Sequence, residues 1–275
     1  MEKVRTLEEA ILFAKDKDVI IGGIVMNVGN FLPKVRENIN RVVTLFKSYK
    51  ILIFENDSTD NTLEYLLQWS KEDKNLSVIS QVNLKGTIEG RTHCTCYCRN
   101  TIVNAIEMHP QYKDRDYYIC IDMDDVFSHN FELNNVLTSF QYDDWAGMGA
   151  CHSQGYYDIW ALRDKNITYN CWDMIRHEMY NGMSSSEATG KHVQKYKYIF
   201  KDDDPLYEVD SCFGGMMIYD IKKIKGCREN SDYICDIDLP NKGPCIYEDC
   251  DHITFHKEIR DKGGRLFINP AMKIM

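Results

Sequence analysis

The stretch Tyr117-Tyr118-Ile119-Cys120-Ile121-Asp122-Met123-Asp124-Asp125-Val126-Phe127 joins an apolar run of strand character to three carboxylates within four residues. A buried strand does not carry unpaired charge, so the carboxylates belong at its exposed end, facing a cation or a polar ligand. In Asp122-Met123-Asp124 the two acidic side chains fall on one side, because strand side chains alternate with a period of two. Two carboxylates so placed repel each other unless positive charge lies between them, and a divalent metal carrying phosphates meets that need. A strand running into a solvated acidic turn has the same local pattern, so the rest of the chain has to decide.

Upstream, strand and helix patterns alternate. Asp18 to Val25 reads as a strand; after Asn27-Val28-Gly29-Asn30, Pro33 opens a helix with Val35, Ile39, Val42, Val43 and Phe46 on one face. Lys50 to Phe54 is a second strand, ending in Glu55-Asn56-Asp57-Ser58-Thr59-Asp60, and the next helix has Leu63, Leu66 and Leu67 as its apolar side. Leu76 to Ser80 is a third strand, and Arg99 to Met108 a third helix carrying Ile102, Val103 and Ile106. This alternation predicts an α/β fold, with a mixed, mainly parallel sheet and helices on both faces. Ligands of such sheets bind outside the carboxyl ends of the strands, where the three polar clusters 27–30, 55–60 and 122–125 coincide. The second half is less regular, with strands expected at Gly215 to Tyr219 and Arg265 to Ile268. Without a Pro- or Ser-rich linker, residues 1–275 read as one domain, its first 130 residues forming the more regular half.

The chain has 275 residues, 44% hydrophobic and 27% charged, enough to bury a substantial core. A net charge of −9 argues against a general nucleic-acid binder, which needs a basic face, but leaves room for a small phosphorylated ligand. Met1 to Ala10 has no apolar signal core, and the best apolar run, Val19 to Met26, has eight residues against the ~20 a membrane helix needs. No transmembrane segment is expected, and the cytoplasm is the expected location. Frequent Lys, Asn, Ile and Tyr accord with an AT-rich source; were that source viral, the location would be the host cytoplasm. Eleven cysteines, an odd number, read as reduced thiols. The C-x-C-x-C of Cys94, Cys96 and Cys98 lacks the C-x₂₋₄-C spacing of structural zinc sites.

In ordered pieces along most of its length the chain resembles the GT-A class of nucleotide-sugar glycosyltransferases. Phe54 to Thr62 is similar to that class's acidic Ser-Thr-Asp turn, which makes Glu55 the residue implied to meet the nucleotide base, with Asn27 and Asp57 beside it. Arg99-Asn100 is similar to the Arg-Asn helix start that approaches the diphosphate, with Arg91 and Lys85 as further phosphate contacts. Asp122-Met123-Asp124 matches the Asp-x-Asp signature, in which Asp124 holds Mn²⁺ or Mg²⁺ and Asp122 lies near the ribose and helps with the metal. Tyr156 to Asp164, with Asp158, Trp160 and Arg163, resembles the Tyr-Asp-x-Trp-x-x-Arg-Asp segment of the fungal capsule-associated mannosyltransferase branch and of related transferases in large DNA viruses. Phe213 to Tyr219 resembles an acceptor-side segment in which Gly214 and Gly215 let backbone approach a sugar.

The segment Tyr247 to His256 admits two alignments. In one, Glu248-Asp249 is the x-Glu-Asp motif of inverting enzymes and Asp249 the general base. In the other, Asp251-His252 takes the place of a Glu-His pair, with Asp251 as a catalytic carboxylate and His252 as a metal or phosphate ligand. The resemblance implies a UDP- or GDP-linked sugar donor, a hydroxyl acceptor on a glycan or glycoprotein, and a donor half (1–130) followed by an acceptor half (131–275). Two readings of other classes share the carboxylates. A metal-dependent nucleotidyltransferase wants a Gly-rich basic phosphate loop, but Asn27 to Asn30 has one Gly and no base. A non-catalytic sugar-nucleotide or glycan-binding module would keep the fold without turnover.

Overall fold

The computed structural model describes residues 1–230 and 248–275. Eight strands, β1 (Asp18–Val25), β2 (Ser48–Asn56), β3 (Leu76–Gln81), β4 (Tyr117–Ile121), β5 (Gly147–Cys151), β6 (Tyr207–Val209), β7 (Met216–Asp220) and β8 (Leu266–Lys273), form one sheet in the order β3-β2-β1-β4-β7-β5-β8-β6. The run β3-β2-β1-β4 is parallel throughout. Strand β7 lies antiparallel between β4 and β5, β8 is parallel to β5, and β6 is an antiparallel edge. The fold is therefore the expected α/β class with a mixed, mainly parallel sheet.

Period-two alternation sorts the strands' side chains onto two cores. Ile20, Leu52, Phe54, Tyr118, Cys120, Met217 and Tyr219 face one side of the sheet. Val19, Ile21, Ile51, Ile53, Ile119, Ile121, Met216 and Ile218 face the other. The helix Leu32–Val43 presents Leu32, Val35, Ile39, Val42 and Val43 to the second side, as its sequence pattern predicts. Helices Arg91–Met108 and His252–Asp261 cover the first.

Two expectations need correction. The third helix begins at Arg91, eight residues earlier than its periodic part suggests, so Arg99 lies two turns inside it. Thr and Cys cost up to about 0.7 kcal/mol each in a helix, whereas burying each Ile or Val on the face of Ile102, Val103 and Ile106 contributes about 1.5–3 kcal/mol. Burial wins, and Cys94 and Cys98, one turn apart, join that face; with Cys120, Cys151, Cys171, Cys212, Cys227 and Cys250 they are buried free thiols. In helix Thr62–Glu72 the buried positions are Thr62, Leu66 and Trp69, and Leu67 is 47% exposed. Strands β5 and β6 have no sequence signal: Gly-Met-Gly-Ala-Cys lacks β-branched residues, and β6 is three residues long. Among the described residues no helix is long and apolar enough to cross a membrane.

Candidate active site

Strands β1, β2 and β4 end on one edge of the sheet, and a cleft of about 740 Å³ opens there. It is lined by Met26, Asn56, Asp122 and Asp124, by Lys85, Arg91, Thr95 and Arg99, and by Tyr157, Asp158, Trp160, Phe213, Asp251 and His252. Asp122 is fixed by the strand beside it: its N–H donates to Gly215 O at 2.9 Å, where β7 runs back along β4. Asp124 caps its own turn, Oδ1 accepting from Val126 N–H at 3.1 Å. Asn38, fully buried in helix Leu32–Val43, holds the following loop by donating from Nδ2 to Phe127 O and His129 O, both at 2.8 Å.

The cleft is strongly acidic around one arginine. The Arg99 side chain is buried, with Nε 2.8 Å from Asp251 Oδ2 and 3.9 Å from Glu229 Oε2, and one terminal nitrogen 3.6 Å from Asp122 Oδ1. Its other terminal nitrogen meets Cys120 Sγ at 2.8 Å, and Phe213 lies under the guanidinium. Burial pushes the Asp122 carboxyl up to about 8; Arg99 opposes the shift, and Asp124, Asp158 and Asp251 add to it. Asp124 and Asp158 are raised as well, first by burial and then by neighbouring acids. Burial raises Glu229 far above the carboxylate range and pushes the His252 imidazole down to about 3, so that ring is a neutral ligand near pH 7. Carboxylate oxygens of this kind suit Mg²⁺ or Mn²⁺, and the buried atoms Glu229 Oε2 and His252 Nδ1, without hydrogen-bond partners, fit a cation.

Of the residues singled out by sequence, Lys85, Arg91, Arg99, Asp122, Asp124, Asp158, Trp160, Asp251 and His252 line the cleft. The others brace it. Glu55 is buried, accepting from Ser58 N–H (3.0 Å) and Ser80 Oγ (2.5 Å), so both of its oxygens are already engaged. Asn27, at φ +56°, accepts from Thr59 N–H at 2.7 Å and ties the first strand's loop to the second's. Asp57 accepts from the N–H groups of Leu84 and Lys85. Gly214 and Gly215 sit at φ +74° and +82°; a side-chain carbon on Gly214 would lie 2.3 Å from Ala150 O, so its close approach is to protein backbone. Arg163 and Asp249 are buried against each other, with one guanidinium nitrogen 2.8 and 2.9 Å from the two carboxylate oxygens. Arg99 is likewise engaged by carboxylates within the protein, and the helix start near the cleft belongs to Arg91.

One contributor, Glu229, is absent from the sequence reading, and Glu248 takes a role other than the motif suggested. Glu229 reaches Arg99 and His252 from the far half of the chain, with no local pattern to mark it. Glu248 accepts from Thr92 N–H at 2.9 Å and so satisfies the start of helix Arg91–Met108. Hydrogen bonds from Thr92 hold its carboxyl below the usual range against the opposing effect of burial.

The mixed, mainly parallel eight-stranded sheet, with a cleft where β1, β2 and β4 end, is that of a GT-A fold. The chain belongs to the family described as Cryptococcal mannosyltransferase 1, whose profile matches residues 18–262. Among solved structures it is similar to the mannosyltransferase PcManGT from Pyrobaculum calidifontis in complex with GDP-Man and Mn²⁺ (TM-score 0.51, 9% identity, 94% of this chain and 56% of that one). It is also similar to S. aureus TarS 1-349 in complex with UDP-GlcNAc (TM-score 0.49, 10% identity, 92% and 56%). A third is glucosyl-3-phosphoglycerate synthase from Mycobacterium tuberculosis in complex with UDP (TM-score 0.42, 10% identity, 82% and 65%). The chain thus spans 56–65% of the length of these structures. No curated protein matches it by sequence.

Proposed function

We propose that this glycosyltransferase moves a hexose, with mannose the first candidate, from a nucleoside diphosphate to a hydroxyl of a glycan or glycoprotein. The observation that carries the reading is the Asp122–Asp124 pair in a cleft that Lys85 and Arg91 also line. Mannose follows from the family's description and from the GDP-Man complex of PcManGT. A divalent cation held by Asp122 and Asp124 would supply Lewis-acid neutralisation of the departing diphosphate. Lys85 and Arg91 lie where they can donate to phosphate oxygens, Arg91 at the first position of its helix, where free N–H groups also point outward. Arg99 serves one step further back, holding Asp122 and Asp251 in place. Residues 1–130 thus form the donor half and residues 131–275 the acceptor half. In the latter, Tyr157, Asp158 and Trp160 face the cleft, and Trp160 Nε1 is a buried donor with no protein partner, suited to a sugar hydroxyl.

The engagement of Asp249 with Arg163 favours a retaining course. A base in an inverting transfer must reach the acceptor hydroxyl within about 3 Å, and a carboxylate with both oxygens on a buried guanidinium is poorly disposed to take its proton. In a retaining transfer the departing phosphate oxygen takes that proton instead. The test is release of free nucleoside diphosphate from GDP-, UDP- and dTDP-sugars, with Mn²⁺ or with EDTA. Metal-dependent release from one donor, lost in Asp124→Asn, is expected; a fully active Asp124→Asn overturns the assignment.

A further inference from the structure

Next to the cleft of the Asp-x-Asp pair lies a second constellation, of which Asp251 and His252 also line the cleft. Glu229, Asp251 and His252 are exposed by only 6%, 6% and 2%. One ligand atom from each lies within 4.8 Å of the other two, and His252 Nδ1 is 3.6 Å from Glu229 Oε1. Glu229 Oε2 and His252 Nδ1 are buried without a hydrogen-bond partner, and Asp251 Oδ2 has the Arg99 guanidinium 2.8 Å away. Asp122, Asp124 and His252, the set expected from sequence, are not brought together in this way among the described residues.

Arg99 lies 2.8 Å from Asp251, 3.9 Å from Glu229 and 3.6 Å from Asp122, so one guanidinium serves three acids. The geometry around the trio is also built. Asn100 clamps the backbone of Glu229 from both sides, accepting from its N–H at 2.8 Å and donating to its carbonyl at 2.7 Å. Phe213 stacks on the His252 ring with centroids 4.2 Å apart, which fixes the imidazole's direction. The Arg99-Asn100 pair therefore serves Glu229, one residue through charge and the other through backbone. Such outer contacts are what orient metal ligands.

We propose that Glu229, Asp251 and His252 bind a divalent cation of their own, separate from the one at Asp122 and Asp124, and that they do so without nucleotide. This goes beyond the transfer reaction and does not depend on its donor. The experiment titrates Mn²⁺ into the chelator-treated, nucleotide-free protein and follows free Mn²⁺ by electron paramagnetic resonance. Wild type is expected to bind the ion, Glu229→Gln to weaken it by about tenfold or more, and Asn100→Ala, which keeps every ligand, to weaken it as well. Asp124→Asn is expected to leave this binding unchanged while losing donor turnover. Should the variants fail to fold, pulsed measurements on wild type alone decide: nitrogen modulation from the His252 imidazole is expected on the bound Mn²⁺. Wild-type affinity in Glu229→Gln, loss in Asp124→Asn alone, absence of nitrogen coupling, or no binding by wild type each overturns the second site. Failure of the donor assay is read separately and bears on the transfer reaction alone.

Discussion

Arg163 donates to both oxygens of Asp249 and also to the carbonyls of Trp160 and Leu162, so one guanidinium joins the Trp160 wall to the segment leading into His252. Removing one partner of such a buried pair strands the other charge. Asp249→Ala is expected to cost about 3–5 kcal/mol of unfolding free energy, measured by urea denaturation. A stable Asp249→Asn that loses turnover would instead restore its reading as the base. His152 gives the pH prediction. Burial pushes its pKa down to about 4, with the Gly214 carbonyl partly opposing, so the folded state resists the proton that the unfolded chain takes up near 6.5. The neutral ring's contribution is complete above pH 6.5 and is lost as pH falls toward 4, by about 3 kcal/mol for a difference of about 2.5 in pKa. His152→Gln is expected to unfold with a weaker dependence on pH between 7 and 4.5.

At the scale of elements, the site depends on how strand ends are held. The Asp-x-Asp loop is fixed from the side by Asn38, whose amide reaches two carbonyls beyond β4. Asn38→Leu leaves those carbonyls buried and unpaired; a loss of about 2 kcal/mol, with weaker donor binding, is expected from unfolding curves and calorimetry. The approach to β7 depends on Gly214, whose N–H also donates to Asp158 Oδ2 at 3.2 Å. Alanine there meets the Ala150 carbonyl at 2.3 Å in a conformation that L-residues disfavour. Gly214→Ala is expected to lower the unfolding temperature and turnover together, because Asp122 and Asp158 both hang on that turn.

For the whole molecule, the acidic cleft sets the response to ligands. A nucleoside diphosphate at about 100 times its dissociation constant stabilises a protein by about 2.7 kcal/mol if only the folded state binds it. The matching nucleotide with Mn²⁺ is expected to raise the unfolding temperature measurably, and EDTA to abolish the rise. A shift that survives EDTA would show that Lys85 and Arg91 alone hold the phosphates. Strand β7 is inserted between β4 and β5, and the turn before it joins the loop of Asp122 to Asp158 through Gly215 O and Gly214 N–H.

Local pattern determined much of this protein. The alternation of apolar strands and amphipathic helices through residue 127 prescribes the parallel half-sheet, and period two prescribes that Asp122 and Asp124 end together at its edge. Such features depend only on residues near one another in the chain. Tertiary structure alone decided which polar residues face the cleft and which support it. Glu55, Asp57, Asp249 and Glu248 look alike in sequence as candidate site acids, yet each is held by partners 3 to 156 residues away. Glu229 carries no motif and becomes part of the site only because Asn100, 129 residues earlier, holds its backbone beside Arg99. A carboxylate's role is set by the charges and donors around it, and those arrive by folding.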